Sequence, residues 1–380
     1  MNVQLHSDSC SGCSACYAIC PVNAISMVAD REGFLYPQID EGKCIHCGLC
    51  QKACPFHADY PRSDGAGQIS QQYYAVVHKD PQIQSTSRSG GAFAAMAQAI
   101  LASGGSVYGV ALDDDLQAYT TSITRSNQLP SLQGSKYVQS NKKDSFRQVR
   151  ADLEAGRTVL FSGTGCEVSG LISYLRHCRV CMDQLYTCDL VCHGAPSPLI
   201  WKENLAQIQK RLGGKIDRVS FRDKHFGWHS HIESYQSGEK TLYANRYTSL
   251  FYSHVCLRPS CSNCKFCNYD RCSDITIGDF WGCEQLALSE DISKGISLLM
   301  INTSKGSKLL ETLQGDLKCF CAEKAATFQP NLAKPSAPSA NRETFWNRYY
   351  QHGYRRTASQ YYSVINRLQL IYNLLFRRHC

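Results

Sequence analysis

Eight cysteines near the start of the chain form two runs of one pattern. Cys10, Cys13, Cys16 and Cys20 follow Cys-x2-Cys-x2-Cys-x3-Cys with Pro21 next, and Cys44, Cys47, Cys50 and Cys54 repeat it with Pro55 next. This is the spacing of paired 4Fe–4S sites, in which three thiolates of a run hold one cube and the fourth reaches the other cube. The expected sets are therefore Cys10, Cys13, Cys16 and Cys54 for one cluster, and Cys44, Cys47, Cys50 and Cys20 for the other. Structural zinc also uses Cys-x2-Cys pairs, but it gives no reason for the third step or the paired Cys-Pro. The chemistry implied is single-electron transfer.

A second constellation lies farther on. Cys166 follows an apolar strand in Phe161-Ser162-Gly163-Thr164-Gly165-Cys166, and Cys192 follows another in Asp189-Leu190-Val191-Cys192-His193-Gly194. Ligands of α/β sheets gather at the carboxyl ends of strands, and Cys261 with Cys264 supplies a Cys-x2-Cys loop to complete a set of four. A zinc ribbon built from Cys256, Cys261, Cys264, Cys267 and Cys272 is the competing reading of the same thiols.

The elements that must position these groups fall into four stretches. Residues 1–58 read as a small bacterial ferredoxin-like domain, with short strands at 24–27 and 34–37 and little core without its clusters. Residues 59–72, rich in Ser, Gly, Asp and Gln, read as a linker. Residues 73–340 alternate strand and helix, predicting a larger mixed-sheet α/β domain. The pattern gives strands at 74–78, 107–112, 120–124, 158–161, 185–191, 219–221, 274–277 and 296–302, and a hairpin across 231–244. Helices are expected at 90–101, 144–155, 167–177, 196–212 and 305–313. No Gly-x-Gly-x-x-Gly follows a strand, so a standard Rossmann site is not supported. Residues 341–380 form a basic tail without acid after Glu343, in which Tyr361, Ile365, Leu368, Ile371 and Leu375 recur at helical spacing. This C-terminal helical tail either packs on the body or rests on a membrane surface or a partner.

The chain from about Tyr73 to Lys318 resembles the coenzyme F420 hydrogenase/dehydrogenase beta-subunit family, in the longer form that carries an N-terminal ferredoxin domain. The resemblance rests on Ser87-Arg88-Ser89-Gly90-Gly91, Gly134-Ser135-Lys136-Tyr137-Val138-Gln139-Ser140, the loop at Cys166, Cys192-His193-Gly194 and Phe221-Arg222-Asp223-Lys224. It extends through 273–282 and Gly295-Ile296-Ser297. It implies FAD and a third 4Fe–4S cluster, whose matching thiols here are Cys166, Cys192, Cys261 and Cys264. Two departures from the family's Gly-Thr-Pro-Cys-Gln loop stand out: Gly165 replaces the proline and Glu167 the glutamine. Extra thiols at Cys188, Cys256, Cys267 and Cys272 leave the fourth ligand open, whereas Cys178, Cys181, Cys283, Cys319, Cys321 and Cys380 read as bystanders.

On this resemblance the FAD pyrophosphate is expected at Ser87, Arg88, Ser89, Gly90 and Gly91, before an Ala-rich helix. There free N–H groups, a partial positive charge and Arg88 would meet phosphate. Plain close packing explains the glycine pair equally well. Lys136 and Tyr137 are candidates for phosphate and ring contact, and Gly163 and Thr164 for the isoalloxazine. Asp279-Phe280-Trp281-Gly282 reads as a wall of that site or a buried strand end. His229 and His231, spaced by two, are a weaker pair for a metal or a substrate.

Composition bounds the remainder. The chain has 380 residues, 43% hydrophobic, with 22 cysteines and a formal charge of +8. Each four-thiolate cluster subtracts roughly two charges, and the basic residues are dispersed, so nucleic acid is not expected. Cluster thiolates and the lack of a leader before Cys10 point to a reducing, cytoplasmic setting, and no apolar run reaches bilayer length. The expected function is an FAD and iron–sulfur oxidoreductase passing electrons between an organic hydride carrier, possible coenzyme F420 included, and ferredoxin-type clusters. Its expected partners are a small redox substrate and a redox protein or ferredoxin. Two alternatives remain: a non-catalytic electron-transfer subunit of a larger complex, and a zinc-stabilised binding protein.

Overall fold

The computed structural model describes residues 9–57, 68–362 and 364–376. The first of these stretches holds α1 (Ala15–Ile19), β1 (Ile25–Ala29), β2 (Leu35–Ile39) and α2 (Leu49–Lys52). The two strands pair antiparallel, Met27 opposite Pro37. Each helix follows a cysteine loop with left-handed residues on both sides of its second cysteine, Gly12 and Ser14 around Cys13, His46 and Gly48 around Cys47. Two runs of different sequence thus make the same turn. The core between them is small: Ala15, Ile19, Ala24, Ile25, Phe34 and Ala53 are its main buried side chains.

The body begins with β3 (Gln68–His78), α3 (Pro81–Thr86), α4 (Ala92–Ala102), β4 (Ser106–Leu112) and β5 (Ala118–Ile123). It continues through α5 (Ser145–Glu154), β6 (Val159–Thr164), α6 (Gly165–His177), β7 (Leu185–Leu190) and α7 (Pro198–Leu212). A small sheet of β8 (Arg218–Ser220), β9 (Glu233–Ser237) and β10 (Lys240–Ala244) precedes α8 (Arg246–Tyr252). Then come β11 (Ile275–Asp279), β12 (Ser297–Thr303), α9 (Ser304–Thr312) and β13 (Leu317–Ala322), and finally α10 (Arg342–Gln360), broken at Gly353, and α11 (Val364–Phe376).

The main sheet is mixed and eight-stranded, in the order β13-β3-β12-β11-β7-β6-β4-β5. β4, β6, β7 and β11 run parallel, and β12 opposes β11 and β3. Alternation along the strands divides the core. Val76, Leu160, Ile277, Leu299 and Ile301 face α4 and α9, while Tyr108, Val159, Phe161 and Leu185 meet α5, α6 and the first module. A separate core joins α7, the small sheet, α8 and α10. The carboxyl ends of β3, β6, β7 and β11 therefore share one edge with the start of β12.

Most elements expected from periodicity are present, with informative differences. Of the stretch read as linker, residues 59–67 lie outside the described residues, and 68–72 already belong to β3, paired with β12 and its flank. The helix expected from Gly90 starts at Ala92, because Gly91 takes the left-handed conformation, with φ of 97°. The hairpin expected from His231 starts at Glu233. The expected helical tail of 341–380 is present as α10 and α11, whereas the periodicity does not mark β13 or α8. β13 is an edge strand whose only fully buried side chain is Leu317, so it carries no apolar run.

Candidate functional site

Among the eight N-terminal thiols the chain brings together the two sets that cross between runs. Burial, followed by Cys54, Cys16 and Cys10, raises the Cys13 thiol far above its usual range, and Cys16 responds to burial, Cys10 and Cys54 in the same way. In the other set, burial and the charges of Cys47 and Cys20 raise Cys50. Cys20, Cys44, Cys47 and Cys50 line one cavity with Val22, Ala24, Ile25, Ile39, Ile45 and Leu49. Four thiols around an apolar hollow form a donor set that fits a cationic iron–sulfur core. Backbone N–H groups already reach two of the sulfurs, from Gly12 to Cys10 at 3.4 Å and from Ala24 to Cys20 at 3.2 Å.

Cys166, Cys192, Cys261 and Cys264 also converge, from three separate places in the fold. Cys166 lies in the first turn of α6 with its sulfur 3.1 Å from Thr164 Oγ1, and Cys192 follows β7. The Ala195 N–H donates to Cys261 Sγ at 3.4 Å. Burial raises Cys192 most, and the charges of Cys261, Cys166 and Cys264 add to it. Burial likewise lifts Cys261 to about 11, whereas a hydrogen bond with Cys267 draws Cys264 down to about 7. The loop bearing Cys264 is fastened by Arg271, which bonds the Phe266 carbonyl and forms a buried 2.5 Å ion pair with Asp189.

Cys267, hydrogen-bonded with Cys264, and Cys272, whose sulfur donates to the Gly165 carbonyl at 3.6 Å, also lie in this neighbourhood. Cys256 is instead buried in the α7–α8 core, so the five thiols of the zinc-ribbon reading are not gathered as one set. Among the described residues, no three His, Cys, Asp or Glu side chains converge closely enough to grip a single metal ion. Of the bystander thiols, Cys380 lies outside the described residues.

Both departures in the Cys166 loop have local explanations. A Cβ at Gly165 would come within 2.9 Å of Phe266 Cβ, so the glycine makes room for the Cys264 loop. The Glu167 carboxylate accepts from the Thr164 N–H at 2.9 Å and pairs with Lys142, an ammonium that is 1% exposed and that also donates to the Ser140 carbonyl at 3.2 Å. A charge introduced at the head of α6 is thus balanced by one on the loop before α5.

The helix that carries Cys166 packs against the first thiol set. Gly170 lies four residues after Cys166, on the same face of α6 and about 6 Å along its axis. A Cβ there would be only 2.8 Å from Cys13 Sγ. On the other flank, Lys265 donates to the Phe56 carbonyl at 3.3 Å, and the Phe56 and Phe266 rings meet edge to face at 5.6 Å. Arg258, 1% exposed, bonds the Cys10 carbonyl at 2.6 Å, the Leu35 carbonyl at 3.0 Å and Gln139 at 3.0 Å.

At the same sheet edge, beside the ends of β3 and β11, lies a charged cluster. Asp279 accepts from Arg88 at 3.3 Å and Arg222 at 3.0 Å, and these two guanidiniums hold its carboxyl below the usual range against the opposing effect of burial. The Nε and Nη1 groups of Arg88 are buried with no partner. Arg222 also reaches Tyr137 OH at 3.4 Å. Gln133 links the neighbourhood of Ser87, at 3.4 Å, to Lys136, which donates to its carbonyl at 2.7 Å.

Several expected contacts are already engaged. The Gly90 N–H donates to Ser297 Oγ at 2.8 Å, and a Cβ at Gly90 would lie 2.1 Å from the Val76 carbonyl oxygen, so this glycine serves close packing. Ser89 Oγ bonds the Ile296 carbonyl at 2.6 Å. Gly163 and Thr164 stand at the end of β6, beside Glu167. His229 and His231 diverge: His229 is exposed near Glu284, and His231 meets Tyr252 edge to face at 4.7 Å. Lys142 was not marked by the sequence, and only its pairing with Glu167 across the fold identifies it, whereas Arg222 and Asp279 lie in motifs that carry the resemblance.

Residues 156–323 match the family described as the C terminus of coenzyme F420 hydrogenase/dehydrogenase, beta subunit. Residues 9–58 and 36–87 each match a 4Fe-4S dicluster domain. No curated protein matches the chain. Among solved structures it is similar to a chain of the F420-reducing [NiFe] hydrogenase complex from Methanosarcina barkeri, at 15% identity and a TM-score of 0.48, over 77% of this chain and 95% of that one.

Proposed function

Because this chain is an F420 hydrogenase/dehydrogenase beta-subunit family protein with an N-terminal dual 4Fe–4S ferredoxin domain, we propose that it is an FAD-dependent iron–sulfur oxidoreductase with three clusters. It would exchange electrons with a small organic hydride carrier, of which coenzyme F420 is one, and with a redox protein or ferredoxin. The observation that supports this reading is the packing of Cys13 against Gly170, one turn of α6 from Cys166.

In this reading Cys10, Cys13, Cys16 and Cys54, then Cys44, Cys47, Cys50 and Cys20, hold the two N-terminal clusters, and Cys166, Cys192, Cys261 and Cys264 hold the third. Arg88 would offer its unpartnered Nε and Nη1 to the flavin pyrophosphate, with Ser87 and Gly91 beside it and Lys136 and Tyr137 as further contacts. Gly163 and Thr164 line the route towards Cys166. When bound, flavin takes up or releases an electron pair and the clusters carry electrons singly. The residues orient these groups and exclude water. His231, its pKa lowered to about 4 by burial and by Arg222 and Arg88, stays neutral beside the arginines at neutral pH.

Anaerobic purification with iron and flavin quantitation tests the proposal. Roughly twelve irons and one flavin per chain are expected, with dye reduction by the isolated protein. Cys192→Ala should remove about a third of the iron, and Arg88→Leu should weaken flavin retention about tenfold or more without touching iron. A colourless, zinc-bearing protein would end the proposal, and iron-loaded protein that turns over only with a partner would make it a relay subunit.

A further inference from the structure

Helix α11 is mounted with its polar side inward. Asn373 is 4% exposed, Asn366 donates to Ser249 Oγ at 2.9 Å, and the Asn366 carbonyl accepts from Asn245 at 2.9 Å. Leu370 and Leu374, one turn apart, are half-buried on that same side. At 100° per residue the opposite side carries Leu368, Ile371 and Leu375, which are 59%, 50% and 68% exposed. A surface helix ordinarily turns such an i, i+3, i+7 stripe towards the core. Here polar hydrogen bonds to α8 and its cap hold the helix in the reverse sense, and three large aliphatic side chains face water together.

Charge selects the occupant. From Thr344 to Cys380 the sequence has Arg348, Arg355, Arg356, Arg367, Arg377 and Arg378 and no Asp or Glu. Arg355, Arg356 and Arg367 are exposed. A second copy of the helix would bring arginines against arginines, whereas an anionic surface would meet both the charge and the apolar stripe. No helix among the described residues is long and apolar enough to cross a membrane, so contact would be from the side. We propose that the outward face of α11 is an interfacial anchor that lays this oxidoreductase on an anionic lipid bilayer, with Leu368, Ile371 and Leu375 entering the acyl boundary and the arginines meeting headgroups.

Flotation of the full-length holoprotein with vesicles tests this. Binding is expected to vesicles containing phosphatidylglycerol and to be at least tenfold weaker to pure phosphatidylcholine, and it should weaken as salt rises. The triple variant L368S/I371S/L375S should lose binding at least tenfold, with unchanged melting temperature and cluster spectrum. Equal binding to both vesicles, or none, would overturn the proposal using the wild-type protein alone. So would a wild-type dimer that the triple variant converts to monomer, which would assign the stripe to a second copy.

Discussion

Residues 9–57 and the body from β3 to β13 both gather thiols, and they do so in opposite ways. In the first, eight cysteines lie in two short runs, the helices are single turns, and few apolar side chains are buried. In the second, four cysteines arrive from α6, the end of β7 and a loop, each placed by an eight-stranded sheet with its own large core. The small module needs its iron as a core, whereas the body would fold first and present a finished site. The contrast teaches that one kind of thiol set can be a cause of folding in one region and a result of it in another.

Anaerobic chelation of iron breaks or upholds that contrast with the largest effect. Amides of β1 and β2 should lose protection from hydrogen exchange by ~100-fold or more, while those of β6 and β12 keep theirs. Equal loss in both regions would dissolve the distinction. Next is the charge pair beside the third set. Glu167→Gln strands the buried Lys142 ammonium and should cost about 3–5 kcal/mol in denaturant melts. Adding Lys142→Met should restore much of it, and a double variant no better than the single would show that the pair is not the source. The smallest effect belongs to the seam between the regions. Gly170→Ala crowds Cys13 and should cost about 1–3 kcal/mol. It should also slow reduction of the N-terminal clusters, followed by freeze-quench EPR, with iron content kept; unchanged kinetics would move the junction elsewhere.

How much of this was legible in the chain follows the same divide. Cys10 to Cys54 could be read directly because their spacing is itself the geometry. β6 and β12 were visible because strands buried on both faces are continuous apolar runs. The Arg88–Asp279–Arg222 cluster was legible only in part: each residue lies in a motif that carries the resemblance, but their pairing across 191 and 57 residues carries no local signal. Gly90-Gly91 illustrates a different limit: a glycine pair before a helix reads alike whether it admits a phosphate or a neighbouring strand, and only the nearby Val76 and Ser297 backbones separate the two. Lys142 and Glu167 were readable as a departure at one end only. In α11 periodicity revealed the stripe, but its outward orientation is set by Asn366 and Asn373, which no apolar pattern marks.

The placement of β3 also sets a timetable for biosynthesis. β3 lies between β13 and β12, and β12 begins at Ser297, 219 residues after β3 ends at His78. At about 5–20 residues per second of synthesis, roughly 10–45 s separate the emergence of the two from the ribosome. Throughout that interval the nascent chain displays its first eight thiols ahead of a sheet that cannot close.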